Sequence, residues 1–220
     1  MLTIGYVDGI GLKSGWESLL QPFNVERNLS KRVLFDLVSA YCSKERYYHT
    51  LGHIQQVLEI VEGMRTLVCN FPAIQLAAWF HDVIYDPKAT DNEERSAEYA
   101  ATALKNLLLP QATIDAVTAM ILSTKYHQVS KEDIDTQILL DADLAILGAD
   151  EPEYKFYSKA IRREYGWMPE EEYRQKRVQV LLNFLKRERI FFTKNKVFDE
   201  LETRARRNIQ AEIKTLSSNA

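Results

Sequence analysis

Apolar residues recur three and four positions apart along most of the chain, the period of a helix with one buried face. Val33, Leu34, Leu37, Val38 and Tyr41 make one such stripe, and Val57, Ile60, Val61 and Met64 make a second. Val178, Leu181, Leu182 and Leu185 make a third, while Leu201, Ala205, Ile209 and Ile213 return every four residues. Strict alternation of apolar and polar residues, the mark of a half-buried strand, is nearly absent. Helix boundaries stand between the stripes. Pro72 suits the first turn of a helix over residues 74–84. Asp91 and Glu94 have capping-box spacing ahead of a helix over about residues 92–108. Pro110 opens another, through about Ser123, and residues 134–147 form one that Gly148 stops. Pro152 and Pro169 each fit a first helical turn. The pattern predicts an all-α bundle of about eight to ten helices joined by short loops.

Eight glycines and six prolines in 220 residues are too few for a turn-rich all-β fold. The length suits one domain over residues 1–220, with a chemistry-bearing core at about 30–150 and a helical extension at 150–220. The extension is more charged, and its runs Arg162-Arg163-Glu164 and Lys186-Arg187-Glu188-Arg189 read as solvated helix faces. A competing reading sends Arg162 or Arg163 to an anionic substrate. Residues 178–185 and 201–213 can pack within the chain or against a second copy, which leaves a homodimer open. A net charge of −3, from 28 basic and 31 acidic residues, gives no reason to expect a nucleic-acid partner. Cys42 and Cys69 lack metal-ligand spacing and read as buried core thiols in a reducing compartment. Residues 1–15 are glycine-rich and expected to be loosely ordered. They lack the basic start and apolar block of a leader. No run approaches the ~20 apolar residues of a membrane span. The expectation is a cytoplasmic protein with no membrane partner.

Chemistry concentrates at three places. His49 and His53 stand four residues apart, on one face of a helix that continues through Val57 and Val61. One imidazole of such a pair can bind a metal while its neighbour stays free for proton transfer. A histidine at the edge of an apolar face can equally be a hydrogen-bonded core residue. In residues 76–84, seven of nine side chains are apolar, so a helix there is buried on nearly every face. His81 and Asp82 within it must find compensation, because an unpaired buried carboxylate is very costly. Adjacent residues diverge by about 100° yet can converge on one ion between them; without an ion they would form a buried His–Asp hydrogen bond. Asp143 has Leu139, Leu140, Ile146 and Leu147 as helical neighbours and points into the core. Asp141, beside Gln137 and Ala145, has a milder setting and reads as a supporting or capping residue.

Two histidines and two aspartates facing a helical core, with no basic partner near in sequence, pose a problem that a buried cation resolves. Imidazole with carboxylate and no thiolate suits one divalent ion, Mn, Fe, Co, Ni or Mg, and Zn is also compatible. Such an ion polarises a phosphoryl oxygen and activates water near neutral pH. Lys125 and His127, after a helix end, can bind a phosphate oxygen or complement the helix terminus. Arg46 is another candidate phosphate contact.

The order His53, His81-Asp82, Asp143 resembles the HD superfamily of metal-dependent phosphohydrolases. Tyr48-His49-x-x-x-His53 is similar to the first signature of the cyclic-nucleotide phosphodiesterases in that superfamily. Phe80-His81-Asp82-Val83-Ile84-Tyr85-Asp86-Pro87, Asn92-Glu93-Glu94-Arg95-Ser96-Ala97 and Leu140-Asp141-Ala142-Asp143-Leu144-Ala145-Ile146-Leu147-Gly148 look like a bacterial family of HD-type hydrolases. The motifs cover residues 46–148. The resemblance implies an HD-type, phosphodiesterase-like helical fold with His53, His81, Asp82 and Asp143 as metal ligands. It implies His49 as the general acid, with Asp82 also part of the catalytic centre. The chain departs from the phosphodiesterases at Tyr85, where they carry another histidine. Histidines that build dinuclear centres elsewhere in the superfamily are missing, apart from His127. One tightly bound ion is therefore implied, with a weaker second ion bridged by Asp82 to Glu93 or Glu94. The competing reading makes Glu93 and Glu94 first-turn acids that complement a helix dipole.

The expected activity is hydrolysis of a small-molecule phosphomonoester or phosphodiester, nucleotide-like in character. Two alternatives stand beside it. One is a non-catalytic metal- or nucleotide-binding module that signals through the charged segment 150–220, against which the full ligand set argues. The other is an HD-fold oxygenase with two irons, against which the shortage of histidines argues.

Overall fold

The computed structural model describes residues 9–218. Its helices are α1 (Gly9–Leu20), α2 (Arg27–Tyr41), α3 (Leu51–Gly63), α4 (Phe71–Phe80), α5 (Asn92–Asn106), α6 (Gln111–Thr124), α7 (Ile134–Leu144), α8 (Glu151–Glu164), α9 (Glu170–Lys186) and α10 (Lys196–Ser218). Short 3-10 turns stand at Gln21–Phe23 and Ala145–Gly148. No strand occurs among the described residues. The expected all-α architecture is present, with ten α-helices among the described residues. Residues 1–8 of the segment expected to be loose lie outside the described residues, and residues 9–15 belong to α1 rather than to a loop.

The chain falls into two compact units, one ending at Ala142 and the other beginning at Asp143. The first centres on α4, whose residues Ala73, Ile74, Leu76, Ala77, Ala78, Trp79 and Phe80 are all buried. Asn70 starts this helix by accepting a hydrogen bond from the Ala73 amide at 3.2 Å, with Pro72 in the first turn. Val33, Leu37 and Tyr41 of α2 and Ile54, Val57 and Val61 of α3 join the same core. Trp16 of α1 meets Trp79 edge-on at 5.5 Å between ring centroids. Its indole N–H donates to Ser30, so the buried ring leaves no orphan donor. The Tyr41 hydroxyl donates to the Trp79 carbonyl at 2.9 Å, satisfying an acceptor in the last turn of α4. Asp135, in the first turn of α7, accepts from the amides of Cys69 and Asn70, both at 2.7 Å. That carboxylate joins α7 to the entry of α4.

Several local expectations change. The helix expected over 74–84 is Phe71–Phe80, so His81 and Asp82 follow α4 instead of lying inside it. α3 begins at Leu51, so His49 precedes the helix that carries His53. Asp91 sits at the start of α5 without a side-chain cap bond; Glu94 turns instead to Lys125, a charged partner. α7 ends at Leu144 and the chain continues as a 3-10 turn. Cys42 and Cys69, expected in the core, are exposed.

In the second unit, α10 packs on the 3-10 turn Ala145–Gly148 and on α9. No described glycine has a positive φ, so Gly148 is not a left-handed helix cap. A Cβ there would lie 2.6 Å from the Leu201 carbonyl oxygen; glycine is needed because α10 comes so close. The Asn208 amide holds the same turn by donating to Leu147 and Ala149 at 3.0 and 2.9 Å. The buried stripe of α9 is Tyr173, Arg177 and Leu181, whereas Leu182 is 37% exposed. The charged residues of this unit are only partly solvated. Arg177 donates to both oxygens of Glu212, at 2.9 and 3.2 Å, and to the Tyr157 hydroxyl at 3.3 Å. Tyr154 donates to Glu212 at 2.5 Å. Arg162 is held by Glu170 and by the Tyr165 and Met168 carbonyls. No helix among the described residues is long and apolar enough to cross a membrane.

Candidate metal centre

The apolar run of α4 carries the chain to the core and then stops, which delivers His81 buried at the helix end. His81 Nδ1 lies 3.0 Å from the Ala78 carbonyl oxygen. A carbonyl can only accept, so Nδ1 is the donor in that bond, which leaves Nε2 as the nitrogen directed at the other candidate ligands. Nε2 faces His53 Nε2 at 3.2 Å. His53 is on the first turn of α3, buried beside Ile54, and its ring lies 4.8 Å from that of Tyr48. Asp82 follows directly, its Oδ2 3.2 Å from His81 Nε2 and 3.8 Å from His53 Nε2.

Helix α7 carries Asp143 as its penultimate residue. His53, His81 and Asp143 each offer a ligand atom, and these atoms all lie within 4.8 Å of one another. Asp141 and Asp143 reverse the expected order of burial: Asp141 is fully buried and Asp143 only partly. Both faces of α7 are covered near Asp141, as residues 138–142 are all buried.

Imidazole and carboxylate are the donor types of a divalent-ion site. Bonds of about 2.1 Å to one ion put donors about 3.0 Å apart at right angles and about 4.2 Å apart across it. The separations among His53, His81 and Asp82 fall inside that window. The Ala78 bond to His81 is the kind of outer support that orients a metal-binding imidazole. The His53, His81 and Asp143 group could hold a metal ion.

His49 stands beside this cluster. Its Nε2 is 4.0 Å from Asp82 Oδ2 and its side chain is 19% exposed. The ring lies 5.9 Å from that of His53 and stacks on Tyr85 at 4.2 Å and 31°. Arg46, read from sequence as a phosphate contact, is buried and directed at backbone. Its Nη1 donates to the carbonyls of Asp82 at 2.6 Å and His49 at 3.2 Å, and its Nη2 donates to Val83 at 2.8 Å.

Lys125 caps α6 and is also engaged within the protein. It pairs with Glu94 and donates to the Thr90 carbonyl at 2.8 Å. The Lys125 ammonium holds the Glu94 carboxyl below its ordinary pKa, and Glu94 raises that of Lys125. The pairing engages Glu94 Oε1, while its Oε2 is buried without a hydrogen-bond partner among the described residues. Glu93 occupies the first turn of α5. His127 has a left-handed backbone, φ 47°, just beyond α6.

Sequence reasoning missed two supports. The Ser96 hydroxyl accepts from the Ile84 amide at 3.1 Å and donates to the Ile84 carbonyl at 3.2 Å. Asn92 exchanges a matching pair of bonds with Asp86, at 3.0 and 2.9 Å. These two α5 residues, four apart, hold the segment that follows His81-Asp82. Their i, i+4 spacing on one face was the available signal. No family model, curated protein or solved structure matches this chain.

Proposed function

We propose that the chain is a metal-dependent phosphohydrolase of the HD type, acting on a small phosphate ester of nucleotide-like character. The observation that carries this reading is the convergence of His53, His81 and Asp143 within 4.8 Å, with Asp82 beside both histidines. These four residues would hold one divalent ion, which when bound supplies Lewis acidity at a phosphoryl oxygen and lowers the pKa of water. Asp82 approaches both imidazoles and also His49, whose Nε2 lies 4.0 Å from its Oδ2. His49, outside the ligand triple and partly open to solvent, donates a proton to the leaving oxygen of the ester. Its stacking on Tyr85 fixes the ring for that transfer.

The test is turnover of a panel of nucleotides and phosphate esters with Mn²⁺, Co²⁺, Mg²⁺ or Zn²⁺, comparing wild type with His49→Ala. Loss of a general acid costs about 10²–10⁴-fold in rate, with metal content unchanged. Full turnover by His49→Ala on the best substrate would remove His49 from this role. Tight nucleotide binding with no turnover at any metal would favour a non-catalytic binding module.

A further inference from the structure

We infer that Arg46 is a positioning residue, a buried staple that fixes the loop carrying His49 against the turn carrying Asp82; its effect on turnover rests on the function proposed above. The two segments come from separate parts of the chain, before α3 and after α4, and neither His49 nor Asp82 lies within a helix. Something other than helical geometry must set the 4.0 Å between His49 Nε2 and Asp82 Oδ2. A guanidinium is a rigid fork with five donors. Nη1 spans the His49 and Asp82 carbonyls, and Nη2 takes the next carbonyl, Val83. Residues 82 and 83 lie beyond the end of α4, where carbonyls lack helical partners and a side-chain donor is most needed.

Two rings complete the staple. The guanidinium carbon is 4.9 Å from the Tyr41 centroid and 5.5 Å from that of Tyr85. Tyr85 in turn stacks on the His49 ring at 4.2 Å. Arg46 therefore grips His49 at its carbonyl and supports its ring through Tyr85, while setting the backbone of Asp82. Lysine, a point donor on a flexible stem, cannot reproduce a fork across three carbonyls.

The experiment titrates Mn²⁺, Co²⁺, Zn²⁺ and Mg²⁺ by calorimetry into full-length wild type, Arg46→Ala and Arg46→Lys, each shown folded by circular dichroism. Turnover is measured in parallel, with and without millimolar methylguanidinium. Loss of an outer support costs about 10–100-fold in metal affinity or activity. Both variants should show it, and methylguanidinium should restore part of it in Arg46→Ala but not in Arg46→Lys, whose side chain fills the space. If Arg46→Ala does not fold, Arg46→Lys, which keeps the buried charge, carries the test. A folded variant with wild-type metal affinity and wild-type turnover overturns the inference, as does an Arg46→Ala variant that methylguanidinium leaves unchanged. Wild type that binds Mn²⁺ yet hydrolyses no ester defeats the hydrolase reading alone, and the affinity arm still decides Arg46. If wild type binds none of these ions, Mg²⁺ included, both fall.

Discussion

The His81 bond to Ala78 fixes one nitrogen as donor and turns the other toward His53, so one hydrogen bond sets what that side chain can do. Tyr173 offers the same logic in a form that pH can probe. Burial pushes its hydroxyl up to about 12, against about 10 in an unfolded chain. The folded state then holds that proton more tightly than the unfolded state. The resulting stability is present in full below about pH 10 and is lost as pH rises through about 12. Burial moves Tyr154 and Tyr157 in the same direction. Denaturant unfolding should show stability falling across that window, with a shallower fall in Tyr173→Phe. A wild-type profile that stays flat to pH 12 would contradict this. At the residue scale, His81, Asp82 and Asp143 were legible because apolar neighbours surround them in sequence. Arg46 and Arg177 were not. Their partners, the Asp82 carbonyl and Glu212, lie 36 and 35 residues away, so local pattern gives no sign that either charge is buried.

Helices were legible as elements but less so at their ends. The apolar run through Ile84 continues past Phe80 because the turn after α4 is also buried in part; periodicity cannot separate a buried helix from a buried turn. The pair His49 and His53 kept its closeness although α3 starts between them. Gly148 was read as a helix stop by its type, yet its requirement comes from α10, over fifty residues later in the chain. That difference is testable. Gly148→Ala forces a methyl into the Leu201 backbone, which cannot rotate away as a side-chain tip could. Overpacking of this kind costs about 1–3 kcal/mol, measured as a lower unfolding midpoint with an unchanged denaturant slope. If glycine served only as a flexible stop, alanine would be neutral or stabilising.

Across the whole molecule, charge is used differently from what composition suggests. Two charged runs of the extension read as solvated helix faces, yet Glu164 of the first is buried, as are Glu153, Arg177, Glu202 and Glu212 elsewhere in the extension. Glu202 accepts from the amides of Ile190 and Phe191, and Arg206 donates to the Leu185, Arg187 and Glu188 carbonyls. Buried ions stay tolerable when hydrogen bonds and partners compensate them. The candidate centre raises the same question, because two buried imidazoles and a partly buried carboxylate stand together in a group that could hold a metal ion. Elemental mass analysis tests this most directly, on protein purified without chelators or added metals, comparing wild type with Asp82→Ala. Expected is about one transition metal per chain in wild type, at least partly lost in the variant. No metal in either protein, together with no binding of Mg²⁺ or Mn²⁺ on titration, would make His53, His81, Asp82 and Asp143 hydrogen-bond partners of the core and remove the basis for a hydrolase.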